Sequence, residues 1–297
     1  MKWVTGMISH KLVRETTVEL LRRAVTEVSP DIKEGLTQAY KKEVDSIPKL
    51  QLKTIIKNLK LAEEKKIPIC QDTGVPIFYV AVGSVRIDRL EEAIIEGVKE
   101  ATRVIPLRPN IVDPFTRLNS GTNLGTKIPF INYRLTDKKY VEIIAFPKGA
   151  GSENVSALSM LTPSQGINGI KEFVLDTILT AGGKPCPPTV IGVGIGGSAD
   201  IAMRLAKEVL LRPINRRHRN SMIAELEKEL YNLINATGIG PMGLGGKTTT
   251  LGVNIDYADC HIASLPVAIN IQCWANRKAL ARIYSNGKVS YQKQWEN

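Results

Sequence analysis

The chain has 297 residues, 43% of them hydrophobic, and a formal net charge of +11. This length and hydrophobic content suffice for a buried core, so a disordered chain is not the default expectation. Basic residues stand among acidic ones on predicted helices, as in Glu63-Glu64-Lys65-Lys66, so the charge indicates solvated faces and no nucleic-acid partner. Apolar runs are shorter than the roughly 20 residues that cross a membrane, and Met1–Gly6 lacks a secretory pattern, so we expect a cytoplasmic protein without membrane contact.

The first part of the chain has the pattern of helices. Ser9 is a candidate N-cap for a helix that extends to about Val28, and Ser29-Pro30 indicates the start of the next helix. Apolar residues at helical spacing predict a further helix over about 50–65. The sequence therefore predicts a helical layer over 1–66.

Beyond residue 66, short β-rich runs alternate with helices. A polar loop is predicted over 108–123. The expected fold class is mixed α/β, a helical layer around a small mixed β-sheet, with 67–297 as the mixed part of one domain. We predict strands at 77–82, 128–133, 140–146, 189–193, 249–257 and 267–272, and helices at 89–104, 166–181, 200–211 and 215–234.

Two glycine-rich segments resemble nucleotide-binding motifs. Gly192–Gly197 has the G-x-G-x-x-G spacing between a predicted strand and a predicted helix, which is the context of a dinucleotide site. An acidic residue at the end of a second strand should follow, but a helix and the Arg216–Arg219 cluster follow instead. An NADP-binding oxidoreductase is thus one alternative, and a basic RNA scaffold is another. Gly240–Thr248 ends like a phosphate-binding loop but has proline where glycine is needed.

Four cysteines, Cys70, Cys186, Cys260 and Cys273, are far apart in the sequence and have no compact metal-binding spacing. Taken singly, an intracellular cysteine is more often a small buried hydrophobic residue than a ligand. Cys70 and Cys186, however, are in turns bounded by Pro or Gly, where a thiol can point into a cleft. Cys273 ends an apolar strand. Spacing alone leaves their role open.

Five motifs occur in order over nearly the whole chain. They are Cys70-Gln71-Asp72-Thr73-Gly74, Lys148-Gly149-Ala150-Gly151-Ser152-Glu153-Asn154, Pro185-Cys186-Pro187-Pro188, Gly192–Asp200 and His261–Ala268 followed by Cys273. This set resembles the class I, iron–sulfur fumarate hydratases and L-tartrate dehydratases. The resemblance covers the N-terminal, or alpha, portion of that family, so we expect the alpha subunit of the split form, with the C-terminal domain on another chain.

The resemblance implies a [4Fe–4S] cluster held by Cys70, Cys186 and Cys273, with one iron left open as a Lewis acid. Cys260 has no counterpart in the pattern. The implied substrate-binding residues are Gln71, Arg108, Gly151 and Ser152, and the implied catalytic residues are Asp72 and His261. The planar guanidinium of Arg108 suits a carboxylate, and an imidazole can carry a proton near neutral pH.

The resemblance also implies an incomplete site on this chain alone. In the family, the proposed general base and further substrate-binding residues belong to the C-terminal part, so we expect a heteromer with a beta subunit. The expected activity is that of a hydro-lyase on a small dicarboxylate. Hydration of fumarate to (S)-malate is the favoured reaction, and dehydration of L-tartrate is the alternative.

Overall fold

The computed structural model describes residues 6–292. Its helices are α1 (His10–Thr26), α2 (Pro30–Lys42), α3 (Ser46–Lys65), α4 (Leu90–Val104), α5 (Ala150–Glu153), α6 (Gly166–Ala181), α7 (Ala199–Glu208) and α8 (Ser221–Ala236). Its strands are β1 (Met7–Ile8), β2 (Ile77–Val82), β3 (Arg86–Ile87), β4 (Phe130–Leu135), β5 (Tyr140–Ala145), β6 (Ala157–Leu161), β7 (Thr189–Gly196), β8 (Thr250–Ala258), β9 (Leu265–Gln272), β10 (Ala279–Tyr284) and β11 (Val289–Gln292).

The chain divides into two compact units. Of the described residues, the first unit contains 6–29, 59–149 and 277–292, and the second contains 30–58 and 150–276. The mixed α/β class expected from the sequence is confirmed, with two principal sheets where one was expected. The division into one domain, helical over 1–66 and mixed over 67–297, stays a prediction.

The first unit is built on a five-stranded sheet of order β11-β10-β5-β2-β4. β2 runs parallel to β4 and antiparallel to β5, and α1 and α4 pack with the sheet in one core. Ser9 caps α1 as expected, since its hydroxyl accepts a hydrogen bond from Leu12 N at 3.3 Å. Gly97 of α4 lets the two helices approach closely, because a Cβ there would lie 2.6 Å from Thr17.

The second unit is built on a four-stranded sheet of order β6-β9-β7-β8. β7 is buried along its whole length, as expected for a central strand with helices on both faces. Alternate residues of a strand face opposite sides, so Ile191 and Val193 pack with α6 and α8, while Gly192 and Gly194 face α7. The last residues of this sheet, around Gln272, lead directly into Cys273.

A buried carboxylate accounts for part of the arginine cluster that suggested an RNA scaffold. Glu227 of α8 is fully buried and pairs with Arg212, and it also accepts hydrogen bonds from Ile255 N at 2.9 Å and His218 N at 3.1 Å. The Arg217 guanidinium lies 4.0 Å from the same carboxylate. Arg212 and Arg217 therefore help to neutralise this buried carboxylate, and Arg216 and Arg219 are exposed.

Most predicted elements are present with small shifts at their ends. The helix predicted from residue 215 begins at Ser221, because Asn220 accepts a hydrogen bond from Met222 N at 3.0 Å and caps it. β6, β10 and β11 were not predicted. Across residues 6–292, every helix is too short or too polar to serve as a membrane span.

Candidate functional site

The loop that carries Cys70 joins α3 to β2 in the first unit. Its turn is closed by Asp72, whose Oδ1 accepts a hydrogen bond from Gly74 N at 2.9 Å. Gly74 has a φ of +88°, and a Cβ there would lie 2.6 Å from the carbonyl carbon of Pro147. Val75 and Lys148 exchange two backbone hydrogen bonds of 2.9 Å. The Cys70 loop is thus fixed against the segment 147–149.

A second predicted segment, around Arg108, is joined to this loop by hydrogen bonds. Arg108 N donates to the Thr73 hydroxyl at 3.1 Å. The Asn110 side chain donates to Asp72 Oδ1 and to the carbonyl of Gly74, each at 3.2 Å. The structure therefore brings the backbone at Arg108 next to Asp72, as a shared site requires.

Asn110 and Asn123 are the residues that the sequence reasoning missed here. Asn123, with φ of 56°, accepts a hydrogen bond from Asn110 N at 2.8 Å and donates to the carbonyl of Arg108 at 3.2 Å. The available signal was an asparagine in a polar loop, a residue type that tolerates positive φ. In the same loop, hydrogen bonds from Thr116 lower the pKa of Asp113, which helps to hold the turn around it.

Arg277 also lies at this place in the first unit, although the sequence did not single it out. It is 2% exposed, and its Nε donates to the carbonyl of Pro147 at 3.4 Å. Gly149 leaves room for the guanidinium, since a Cβ there would lie 2.4 Å from Arg277 Nη2 and 3.2 Å from Asp72 Oδ2. A side chain at position 149 would therefore displace the Arg277 guanidinium.

In the second unit, the segments of Cys186 and Cys273 meet at one end of the four-stranded sheet. Strand pairing sets Val190 opposite Gln272, so the residue before β7 and the residue after β9 lie at the same end. Trp274 N donates to the carbonyl of Cys186 at 3.4 Å. Cys186 has a φ of 54°, which marks a sharp turn before the strand.

Gly151 and Ser152 lie at the same end of this sheet, on the short helix α5. The Ser152 hydroxyl is buried and donates to Gln272 Oε1 at 3.4 Å, directly before Cys273. A Cβ at Gly151 would lie 3.3 Å from the carbonyl of Lys184. Four of the predicted site residues are thus brought together within this unit: Gly151, Ser152, Cys186 and Cys273.

His261 lies beyond the other end of the same strands. It is exposed in the loop between β8 and β9, where its Nδ1 accepts a hydrogen bond from Ala263 N at 3.1 Å. β9 has 8 residues, which at the rise of an antiparallel strand separates its ends by roughly 24 Å. The second unit therefore does not bring His261 to Cys273. Cys260, in the same loop, donates its thiol to the carbonyl of Ser264 at 3.2 Å.

The glycine motif Gly192–Gly197 has a packing role. Gly192 and Gly194 are inside β7, where a Cβ would lie 2.1 Å from the carbonyls of Ala206 and Ala202 respectively. The motif was predicted to follow the strand, but β7 continues to Gly196 and pairs there with β8. Because these backbone groups belong to the sheet, the segment does not form a pyrophosphate cradle, and the NADP alternative is wrong in this respect.

One other group of potential metal ligands lies in the first unit. Single ligand atoms of His10, Glu92 and Glu96 are all within 4.8 Å of one another. Arginines already neutralise both carboxylates: Arg89 Nη1 lies 3.2 Å from Glu92, and Arg14 Nη1 lies 3.9 Å from Glu96. The arrangement is that of an ion-pair cluster on two helices.

The residues present fit a group that binds thiolates. Cys70, Cys186 and Cys273 are half-buried, are not in disulfides and lie outside the helices and strands. Asn276 Nδ2 and Oδ1 and Arg277 Nη1 are buried and lack hydrogen-bond partners among the described residues. Buried polar atoms normally have partners. Asn276 and Arg277, shortly after Cys273, thus have polar atoms that a bound group would satisfy.

These features define an α/β protein with half-buried cysteines in both units: Cys70 near Asp72 in the first, and Cys186 and Cys273 at one end of the sheet in the second. A family model described as "Fumarate hydratase (Fumerase)" matches residues 14–282. The chain belongs to this family of hydro-lyases, which confirms the resemblance drawn from its motifs.

Relatives of the chain have more particular names. A protein of Methanocaldococcus jannaschii named "Putative L(+)-tartrate dehydratase subunit alpha" is 56% identical over 93% of this chain and 99% of its own length. The L(+)-tartrate dehydratase subunit alpha of Escherichia coli (strain K12) is 35% identical over 88% of this chain and 87% of its own length.

Proposed function

We propose that this chain is the alpha subunit of a [4Fe–4S]-dependent hydro-lyase that dehydrates L-tartrate to oxaloacetate. The assignment of L-tartrate as the substrate rests on the name of the relative that is 56% identical over nearly its entire length. The sequence alone favoured fumarate, and the names of the relatives support the alternative better. Fumarate hydration remains the second candidate, because the family model that matches most of the chain has that name.

Cys70, Cys186 and Cys273 are the proposed ligands of the cluster. In support, all three are half-buried and not in disulfides, and the backbones of the Cys186 and Cys273 segments are joined through Trp274. A [4Fe–4S] group with three thiolate ligands supplies an open iron, which polarises a hydroxyl group as a Lewis acid. Cys260 is outside this set, because its thiol already donates to Ser264.

The chain's own side chains would orient the dicarboxylate. Arg108 offers a planar fork of donors for a carboxylate, and its backbone is fixed by Thr73. Asp72 is fixed by Gly74 and Asn110, so its carboxylate can hold a hydroxyl proton of the substrate in one orientation. Gln71, next to it in the same loop, would donate to the substrate.

The remaining proposed site residues are Gly151, Ser152 and His261. Gly151 would let the backbone of α5 approach the substrate, and Ser152 would support it through Gln272. His261 stays the proposed proton carrier of the motif, although its place beyond the far end of β9 does not support a role beside Cys273 within one chain.

We propose a beta subunit as the partner, since the relatives are named as alpha subunits. Dehydration requires the removal of a proton from the carbon next to the one that loses hydroxide, and this chain's candidate site has no assigned base for that carbon. We propose that the base is on the beta subunit, so the isolated chain should have little or no activity.

An anaerobic assay of the chain with its co-purified partner chain tests this function. L-Tartrate should be converted to oxaloacetate, and the kcat/KM for L-tartrate should exceed that for (S)-malate and fumarate. The Asp72→Asn variant should lose at least about a hundredfold in kcat/KM, which is typical when a positioned proton-handling group is removed. A preference for fumarate would establish the second candidate, and full activity of the isolated chain would contradict the need for a partner.

A further inference from the structure

Arg277 is a buried cation in the first unit whose hydrogen bonds are incomplete. It is 2% exposed, and its Nη1 has no partner among residues 6–292. Its Nε reaches only the carbonyl of Pro147, at the long distance of 3.4 Å. Burying a charged donor without an acceptor is costly, so Nη1 calls for an acceptor that residues 6–292 do not provide.

The Asp72 carboxylate is the acidic group that lies on the same side of Gly149 as Arg277. A Cβ built on Gly149 would lie 2.4 Å from Arg277 Nη2 and 3.2 Å from Asp72 Oδ2. The other carboxylate oxygen of Asp72 already accepts hydrogen bonds from Gly74 and Asn110. The Asp72 carboxylate therefore does not supply the acceptor that Arg277 Nη1 lacks.

The proposed [4Fe–4S] group has the complementary charge. Its three thiolates outweigh the 2+ core, so the bound assembly is an anion. Cys70 is two residues from Asp72, and Cys273 precedes Arg277 by four residues in the chain. Hydrogen bonds to cluster sulfurs and nearby positive charge stabilise the reduced, more negative state and raise the reduction potential.

We propose that Arg277 is the counter-cation of the cluster and that its Nη1 donates a hydrogen bond to a sulfur of that anion. This inference rests on the proposed function, because it requires the cluster. It assigns Arg277 a role that is separate from substrate binding: it sets the stability of the reduced cluster. A purely structural arginine, which only clamps the Pro147 carbonyl, would affect folding but leave the potential unchanged.

The test is a redox titration of the full chain, reconstituted anaerobically with iron and sulfide and followed by electron paramagnetic resonance. Arg277→Gln removes the charge and should lower the equilibrium constant for one-electron reduction at least tenfold. This corresponds to a reduction potential that is lower by about 59 mV. Arg277→Lys keeps the charge, so its reduction potential should stay close to that of the parent chain. Arg282→Gln is the matched control, since Arg282 is a half-buried arginine of the same unit that pairs with Glu142 at 2.8 Å.

A second variant keeps the test decisive if Arg277→Gln fails to fold. Gly149→Ala puts a methyl group where the guanidinium lies, so it should displace Arg277 and lower the potential in the same direction. An unchanged potential in a variant that holds an intact cluster overturns the inference but leaves the proposed function standing. Wild-type chain without a [4Fe–4S] signal overturns both.

Discussion

Asn110 joins two loops that carry predicted site residues, and it does so with one side chain. Its amide donates to Asp72 Oδ1 and to the Gly74 carbonyl, while its backbone N–H donates to Asn123. A short polar side chain with several partners has more structural effect than one surface hydrogen bond, because its loss leaves several groups unsatisfied at once.

The Asn110→Ala variant should therefore lose about 2 kcal/mol in the free energy of unfolding, measured by urea denaturation. Asn119→Ala is the control from the same loop. Asn119 is exposed and donates only to the Pro109 carbonyl, at 2.8 Å, while accepting from Gly121 N. Its replacement should cost less than about 1 kcal/mol. Equal losses for the two variants would contradict the account of this junction.

The family resemblance of their motifs indicated Cys70, Asp72 and Arg108, whereas their residue types and spacing left their roles open. Arg277 could not be singled out in this way. An arginine after a cysteine resembles any surface arginine until the fold shows it buried beside Gly149. Burial of a polar group depends on contacts that are distant in sequence, and no local pattern carries that information.

At the scale of elements, the packing of α7 on β7 depends on the absence of side chains at two strand positions. Gly192 and Gly194 face α7, and a Cβ at either would lie 2.1 Å from a helix carbonyl. The glycine spacing that resembles a nucleotide motif is thus a consequence of close helix–strand contact. The same glycine spacing occurs in dinucleotide-binding loops and in strands that pack closely against a helix, so the motif alone could not distinguish the two.

Gly194→Ala should destabilise the chain by about 3 kcal/mol, because the helix must shift to admit the methyl group. Gly35→Ala is the control: Gly35 is inside α2, and a Cβ there would lie 3.1 Å from the mobile end of Ile214. Since alanine also favours the helix, that change should stay within about 1 kcal/mol of the parent. Thermal unfolding of both variants checks this, and a Gly194→Ala protein as stable as the parent would refute the packing argument.

Periodicity located the long elements well. α6 and β2 have the predicted bounds, because their apolar spacing is regular and turn residues flank them. β6, β10 and β11 were missed. β6 is an edge strand with exposed Leu158 and Met160, and β10 carries Arg282 toward Glu142, so neither shows a clean apolar alternation. Partners in the sheet decide such strands, and sequence alone does not name those partners.

At the scale of the whole molecule, the sequence predicted the α/β class and the family. It did not predict two principal sheets, since strands adjacent in sequence are divided between them: β5 belongs to one sheet and β6 to the other. Nor could spacing indicate which thiols act together. Cys186 and Cys273 are far apart in the chain, and their segments meet only because β7 and β9 pair.

The central claim is that Cys70, Cys186 and Cys273 hold one [4Fe–4S] cluster while Cys260 does not. Iron and acid-labile sulfide should be counted after anaerobic reconstitution of the full chain and of the four single Cys→Ser variants. We expect about four of each per chain for the parent and for Cys260→Ser, as one [4Fe–4S] group requires. Replacing any of the other three should remove most of both. A parent chain without iron, or a Cys260→Ser variant that loses as much iron as the others, would contradict the claim.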